Sequence, residues 1–286
     1  MVDYFRPDTI EDALAARGAP GVCVAAGCTD LFPATTQGTL GGPVLDLTAI
    51  PDLRAIGKDD EGWTIGSCVT WTDVIRADLP PAFDMFKQAA REVGSVQIQN
   101  AGTVGGNLCN ASPAADGVPC LLALDAEVHL RSAHSLRQMP LSDFLQGPRQ
   151  TALATDELLT AIHVPRAATQ GQSAFRKLGA RSYLVISIAM VAARLEIQDG
   201  RITRAAVSVG ACSPIARRLG AVEAALTAAP DLAGARGAIS DQMVAAALDP
   251  IADIRADAAY RATAAAELVR RVVGDVIDDG RRAYAA

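Results

Sequence analysis

The stretch Thr103-Val-Gly-Gly-Asn-Leu-Cys-Asn-Ala-Ser-Pro-Ala-Ala-Asp116 constrains the fold of this chain more than any other. It sets two adjacent glycines, several short polar side chains and a carboxylate directly ahead of an apolar run. Glycine is used where a backbone turns sharply or comes close to another group. No side chain in the stretch is bulky or basic, so the group approached is expected to be phosphorylated and held by bare backbone. Residues 101–116 carry too little periodic apolar content for a regular element. The stretch therefore reads as a long loop, and long loops in compact domains often carry function.

A second segment, Ala25-Ala-Gly-Cys-Thr-Asp-Leu31, shares this chemistry as strand, glycine turn and helix start. In both, glycine uncovers successive backbone N–H groups, which can hold an anion without a basic residue. Thr29, Thr103, Asn107 and Ser112 add neutral donors, and Asp30 and Asp116 can accept from ribose or ribitol hydroxyls. A pyrophosphate joining a flavin to an adenosine has both needs, being an anion flanked by polyols. Neither segment matches G-x-G-x-x-G or the P-loop. Either one alone is compatible with an ordinary structural turn; together they point to a cofactor.

Composition narrows the alternatives. The net charge of −6, from 26 basic and 32 acidic residues, leaves no footprint for nucleic acid, and 4% aromatics weaken any base-stacking surface. No basic n-region with an apolar run opens the sequence, and the longest aliphatic run, near Tyr183, is too short to span a bilayer. A soluble, cytoplasmic protein is expected. Cys23, Cys28, Cys68, Cys109, Cys120 and Cys212 form no C-x-x-C pair, and His129, His134 and His163 are scattered, so no metal site is expected.

Pro7-Asp8-Thr9 ahead of Ile10, Ala13 and Leu14 predicts a short helix capped by Asp8 or Thr9. Residues 23–26, 43–47 and 63–66 predict short strands, with Thr29 or Asp30 placed to cap a turn of helix. Phe83, Phe86, Ala90 and Val93 recur at helical spacing, and residues 118–124 predict a buried helix capped by Asp116. Residues 127–130 and 158–164 predict strands. After a linker at 170–172, residues 185–195 and 205–209 predict paired strands turning at Asp199-Gly200. Alanine-rich helix follows, closing in a long amphipathic element over 254–273 that needs tertiary packing. The fold class is α+β.

Ala26-Gly-Cys-Thr-Asp-Leu31 resembles an Ala-Gly-Gly-Thr-Asp-Leu motif. Thr103-Val-Gly-Gly-Asn107 with Ala111-Ser-Pro-Ala-Ala-Asp116 resembles Thr-Ile-Gly-Gly-Asn followed by Ala-Ser-Pro-x-x-Asp. Both motifs belong to the FAD-binding medium subunit of molybdenum hydroxylases, the family of xanthine, carbon monoxide and aromatic-heterocycle dehydrogenases. Phe175-Arg-Lys with Arg181, Val209-Gly-Ala-Cys-Ser-Pro-Ile215 and Asp253-Ile-Arg-Ala-Asp-Ala-Ala-Tyr-Arg261 are similar to signatures of its C-terminal flavoprotein domain. The resemblance thus covers essentially the whole chain.

The resemblance implies a PCMH-type (vanillyl-alcohol-oxidase-like) FAD-binding domain over residues 1–172, in subdomains of about 1–56 and 57–172. An α+β domain over 173–286, a small antiparallel sheet packed on helices, would follow. FAD is the implied cofactor of this chain. Ala26, Gly27, Cys28, Thr29, Asp30, Leu31, Gly105, Gly106 and Asn107 would surround its diphosphate, with Ala25, Gly102 and Thr103 also binding the cofactor. Ser112 and Asp116 would bind its ribityl or diphosphate region, with Asp116 a polyol acceptor; Leu159 would lie on a strand close to the ring, and Arg176 or Lys177 at the ring edge. Arg181 would form an interdomain salt bridge. No catalytic side chain is expected here. A purine, another N-heterocycle or an aldehyde would be oxidised at a molybdenum cofactor on a large partner. Electrons would pass through two [2Fe–2S] clusters of a small partner to this chain, and on to NAD+, a quinone, another carrier or dioxygen. The implied assembly is a heterotrimer or a dimer of heterotrimers.

A self-contained FAD oxidoreductase and a non-catalytic flavin-binding assembly subunit are the competing readings. Cys28 departs from the family's second glycine, and binding is expected to survive it. The cysteine-bearing insertion of the benzoyl-CoA-reductase branch is missing, which argues against that branch.

Overall fold

The computed structural model describes residues 3–35 and 40–285. Thr9 caps the first helix, Ile10–Arg17, its hydroxyl accepting from the Asp12 N–H at 3.2 Å. Ala13 and Leu14 pack this helix with Leu45, Leu47, Ile50 and Leu53. The sheet beneath is parallel, ordered Tyr4–Phe5, Val44–Asp46, Cys23–Ala25. Residues 28–34 carry two bonds of α-helical type, from the Phe32 N–H to Cys28 O at 3.2 Å and from the Ala34 N–H to Asp30 O at 3.1 Å, so the turn of helix expected there is present but interrupted. Pro33 has no N–H to give the Thr29 carbonyl, so the ladder cannot propagate.

A five-stranded antiparallel sheet follows, ordered Ile56–Lys58, Gly62–Gly66, Leu158–Pro165, Glu127–Arg131, Leu136–Pro140. Helices Trp71–Arg76, Asp84–Glu92, Val96–Ala101, Val104–Asn110 and Gly117–Ala123 fall between its second and third strands in sequence, and all but Val96–Ala101 share one core with it. Phe83, Phe86 and Ala90 are fully buried there, with Trp71 edge-on to Phe86 at 5.8 Å between ring centroids.

Helix Val104–Asn110 corrects the expectation that residues 101–116 hold no regular element. Thr103 caps it, the hydroxyl accepting from the Gly106 N–H at 3.1 Å, and Val104 and Leu108 are fully buried. A helix this short takes its stability from the core it meets, so its own periodicity is too brief to read. A second correction concerns Asp116. It precedes helix Gly117–Ala123, but its side chain makes no cap, because both carboxylate oxygens are engaged, by Ser187 and by Lys177 of the third sheet.

That sheet is antiparallel, ordered Gln172–Leu178, Ala189–Gln198, Arg201–Gly210, Arg217–Arg218. The Asp199-Gly200 turn joins its long strands with φ of 49° and 72°, the positive angles of a tight hairpin. Met190 and Ala192 face the core of the second layer. Val191, Ala193 and Leu195 face helices Gly220–Ala228 and Ala258–Ala285. Burial on both faces explains the nearly unbroken apolar run of this strand. It begins at Ala189, not 185, because residues 179–187 form an arch exposing Tyr183, Leu184 and Ile186. The closing helix likewise starts at Ala258, after a turn pairing Asp253 with Ala256. Among the described residues no helix is long and apolar enough to cross a membrane.

Candidate cofactor site

Gly27 brings the two glycine segments into contact. A Cβ there would lie 2.1 Å from the Ala101 carbonyl oxygen and 2.8 Å from the Gly102 Cα, so only glycine allows the approach. Cys28 follows with φ of 55°, in the left-handed region. Such a residue turns successive N–H groups to one side, the geometry of an anion-binding nest. The N–H groups of Gly27 through Leu31 donate to no partner among the described residues. The Cys28 thiol donates to Ala26 O at 3.5 Å. Burial first, then the Asp46 carboxylate, pushes its pKa up, which keeps it protonated and unreactive.

A left-handed backbone costs a residue with a Cβ about 1–2 kcal/mol. Glycine's extra freedom in the unfolded chain offsets roughly 0.5–1 kcal/mol of that. Cys28→Gly is therefore expected to leave stability unchanged or raise it by up to about 1 kcal/mol, read from the urea midpoint. A lower midpoint would show that the thiol contributes more than its backbone costs.

The second segment offers fewer free amides than its glycines imply. Gly105 donates to Ser67 O at 2.9 Å, and a Cβ on it would lie 2.6 Å from Ser67, so this glycine serves the packing of helix on sheet. The Gly106 N–H is taken by Thr103 Oγ1, and that of Asn107 by Thr103 O at 3.0 Å. Asn107 Oδ1, by contrast, is buried without a partner, an orphan acceptor of the kind a ligand group satisfies. Gly106, Cys109 and Asn110 form the open edge of the helix. Cys109 is exposed on this edge, and desolvation pushes its thiol up to about 12. The unengaged amides of residues 27–31 suit the anionic part of a dinucleotide, and an unpartnered acceptor suits one of its hydroxyl groups. Ser112 stabilises its own turn, its Oγ accepting from the Ala114 N–H at 3.3 Å.

Asp116 anchors the other end. Its Oδ2 accepts from Lys177 Nζ and its Oδ1 from Ser187 Oγ, both at 2.6 Å, while Lys177 also donates to Glu92 O at 3.2 Å. Burial holds the Asp116 carboxyl above its ordinary value, with Lys177 and Ser187 pulling against it. Leu159 is buried on strand Leu158–Pro165, in the same core as Leu108 of helix Val104–Asn110.

Arg176 stands apart. One residue from Lys177, it points to the opposite face of the sheet and pairs with Asp275 through Nε at 2.5 Å and Nη2 at 2.9 Å. The cavity beside it, about 400 Å³, is lined by Arg176, Asp275, Asp278 and Asp279 and is too acidic for an anionic cofactor. Arg181 turns back onto Leu184 O rather than forming the interdomain salt bridge expected of it. Lys177–Asp116 bridges the two parts of the chain instead, with Arg194 and Arg218 on Asp125.

Two contributors escaped the sequence reading. Arg149, at the tip of hairpin Leu145–Gly147/Gln150–Thr151 with φ of 60°, reaches Asp30 at 3.2 Å and also Asn110, tying the two segments together with a cation. Ser187 is fully buried against Asp116. Gly147-Pro148 was readable as a turn, but no local signal brings residue 149 beside residue 30.

The family described as "FAD binding domain in molybdopterin dehydrogenase" matches residues 1–167, and "CO dehydrogenase flavoprotein C-terminal domain" matches 173–276. The nicotinate dehydrogenase FAD-subunit of Eubacterium barkeri is 32% identical over 222 residues, 73% of this chain and 74% of that one. The nicotine 6-hydroxylase medium subunit of Paenarthrobacter nicotinovorans is 29% identical over 278 residues, 95% and 96% of the two chains. In three dimensions, carbon monoxide dehydrogenase from Hydrogenophaga pseudoflava superimposes with a TM-score of 0.87 at 25% identity, covering 96% of each chain. Motifs and two-part fold agree, and the chain belongs to the family of FAD-binding subunits of molybdenum hydroxylases.

Proposed function

We propose that this chain is the electron-transfer subunit of a molybdenum-dependent dehydrogenase or hydroxylase. In that assembly a large molybdenum-cofactor subunit oxidises the substrate, and a small [2Fe–2S] subunit delivers the electrons. The observation that carries this reading is the contact of the two glycine segments, Gly27 against Ala101 and Gly102, beside which the amides of Gly27 through Leu31 donate to no partner among the described residues. Bound FAD supplies the link between two-electron and one-electron chemistry. The protein's part is to hold and shield it. The amides of residues 27–31 hold the diphosphate, and Arg149 offsets the charge of Asp30 beside it. Asp116 accepts from the polyol, and Lys177 neutralises Asp116 so that a buried carboxylate does not repel an anionic ligand.

The names of the relatives, which refer to nicotinate and nicotine, support an N-heterocycle as substrate class. A cytoplasmic location and an acceptor among NAD+, quinone, another carrier or dioxygen complete the proposal. The test is to purify the native complex, quantify flavin and metals, and follow flavin absorbance as N-heterocycles are added. Stoichiometric FAD that bleaches only with partners and substrate present is expected. A complex without flavin, or flavin that no substrate reduces, overturns the reading. Bleaching by substrate on the isolated chain moves the assignment to a self-contained oxidoreductase.

A further inference from the structure

The run Asp253-Ile-Arg-Ala-Asp-Ala-Ala-Tyr-Arg261 makes none of the cofactor contacts proposed above, yet it contains a fully buried guanidinium, Arg261. Asp253 closes a tight turn, its N–H donating to Ala256 O at 3.1 Å. Its carboxylate grips both arginines: Oδ1 accepts from Arg261 Nη2 at 2.7 Å, and Oδ2 from Arg255 Nε at 3.1 Å. The arginines in turn hold backbone carbonyls. Arg255 Nη1 donates to Ser187 O at 3.0 Å, and Arg261 Nη1 donates to Ala211 O at 2.8 Å and also to Ile188 O.

Two of those residues, Ser187 and Ala211, continue to the glycine stretch. Ser187 Oγ donates to Asp116 Oδ1 at 2.6 Å, and the Ala211 N–H donates to Pro113 O at 3.0 Å. Ala211 has φ of 61°, a conformation that persists only where its surroundings enforce it. We propose that Asp253, Arg255 and Arg261 are positioning residues for the cofactor site: by fixing the peptides of Ser187, Ile188 and Ala211 they set the path of residues 113–116 and the orientation of the Asp116 carboxylate. This rests on the FAD reading given above. Two guanidiniums suit the task because each planar fork can join a carboxylate to carbonyls in one fixed geometry.

The experiment compares wild type, Ser187→Ala, Arg255→Gln and the double variant as purified complexes, at a temperature where circular dichroism shows all four folded. The readouts are the FAD dissociation constant and the flavin midpoint potential. Ser187→Ala is expected to weaken FAD about tenfold, the loss of a hydrogen bond to a buried charge. Arg255→Gln is expected to weaken it about threefold, and the double variant no further than Ser187→Ala, because Arg255 acts through Ser187. Both single variants shift the potential in the same direction. Additive losses, or an Arg255→Gln complex with wild-type affinity and potential, overturn the proposal. So does a lowered thermal midpoint with an unmoved potential, the mark of a merely structural role. A wild-type complex without FAD would instead remove the cofactor reading itself, so the two failures are distinct.

Discussion

Lys177→Met is expected to destabilise the chain by about 3–5 kcal/mol, because it strands the Asp116 carboxylate in the interior. The Lys177 and Asp116 side chains are only 6% and 8% exposed, so water cannot take over the lost partner. In a chain of this size the loss corresponds to roughly 10 °C in thermal midpoint. The pH dependence has a definite sign. Asp116 titrates above its ordinary value when folded, chiefly through burial, so its contribution favours folding at low pH and fades as pH rises through that raised value. The deficit of Lys177→Met should therefore shrink on acidification, as Asp116 takes up a proton, and grow towards neutrality. Asp116→Leu in the same chain should recover much of the loss, since an apolar pair of similar volume carries no desolvation cost. Thermal melts across pH check all three statements. A deficit independent of pH would show that lost packing, not the stranded charge, sets the cost.

Gly27→Ala should separate the two glycine segments. The added methyl would stand 2.1 Å from a backbone oxygen, and no side-chain rotation relieves that. Overpacking of this kind costs about 1–3 kcal/mol in stability. The larger effect falls on the cofactor, since the amides of residues 27–31 move away from the second segment, and FAD affinity is expected to fall roughly 100-fold, about 2.7 kcal/mol. Gly57→Ala is the matched control: a Cβ there meets nothing within 4 Å. Fluorescence titration of both variants with FAD gives the comparison. Equal affinities would separate the segment contact from cofactor binding.

Much of this was legible in order along the chain. The Thr9 cap, the strand ending in Ala25, the hairpin at Asp199-Gly200 and the helix after Asp116 each rest on local signals: a capping hydroxyl, an apolar run, a turn dipeptide. Helix Val104–Asn110 was not legible, because two buried apolar side chains, Val104 and Leu108, on less than two turns make no period. Nor was the difference between Gly105 and Gly106. The sequence shows a glycine pair, while the packing of Ser67 makes one a contact between helix and sheet and leaves the other exposed.

By itself, then, the sequence determined which segments must be glycine-rich, which elements flank them and that a phosphorylated cofactor suits them, since backbone freedom and periodic burial are local properties. Tertiary structure decided which N–H groups remain free and which cation lies where. It paired Lys177, not Arg176, with Asp116, because neighbouring strand residues face opposite sides of a sheet. It brought Arg149 to Asp30 and Arg261 to Ala211 across long stretches of chain, contacts that no local pattern encodes.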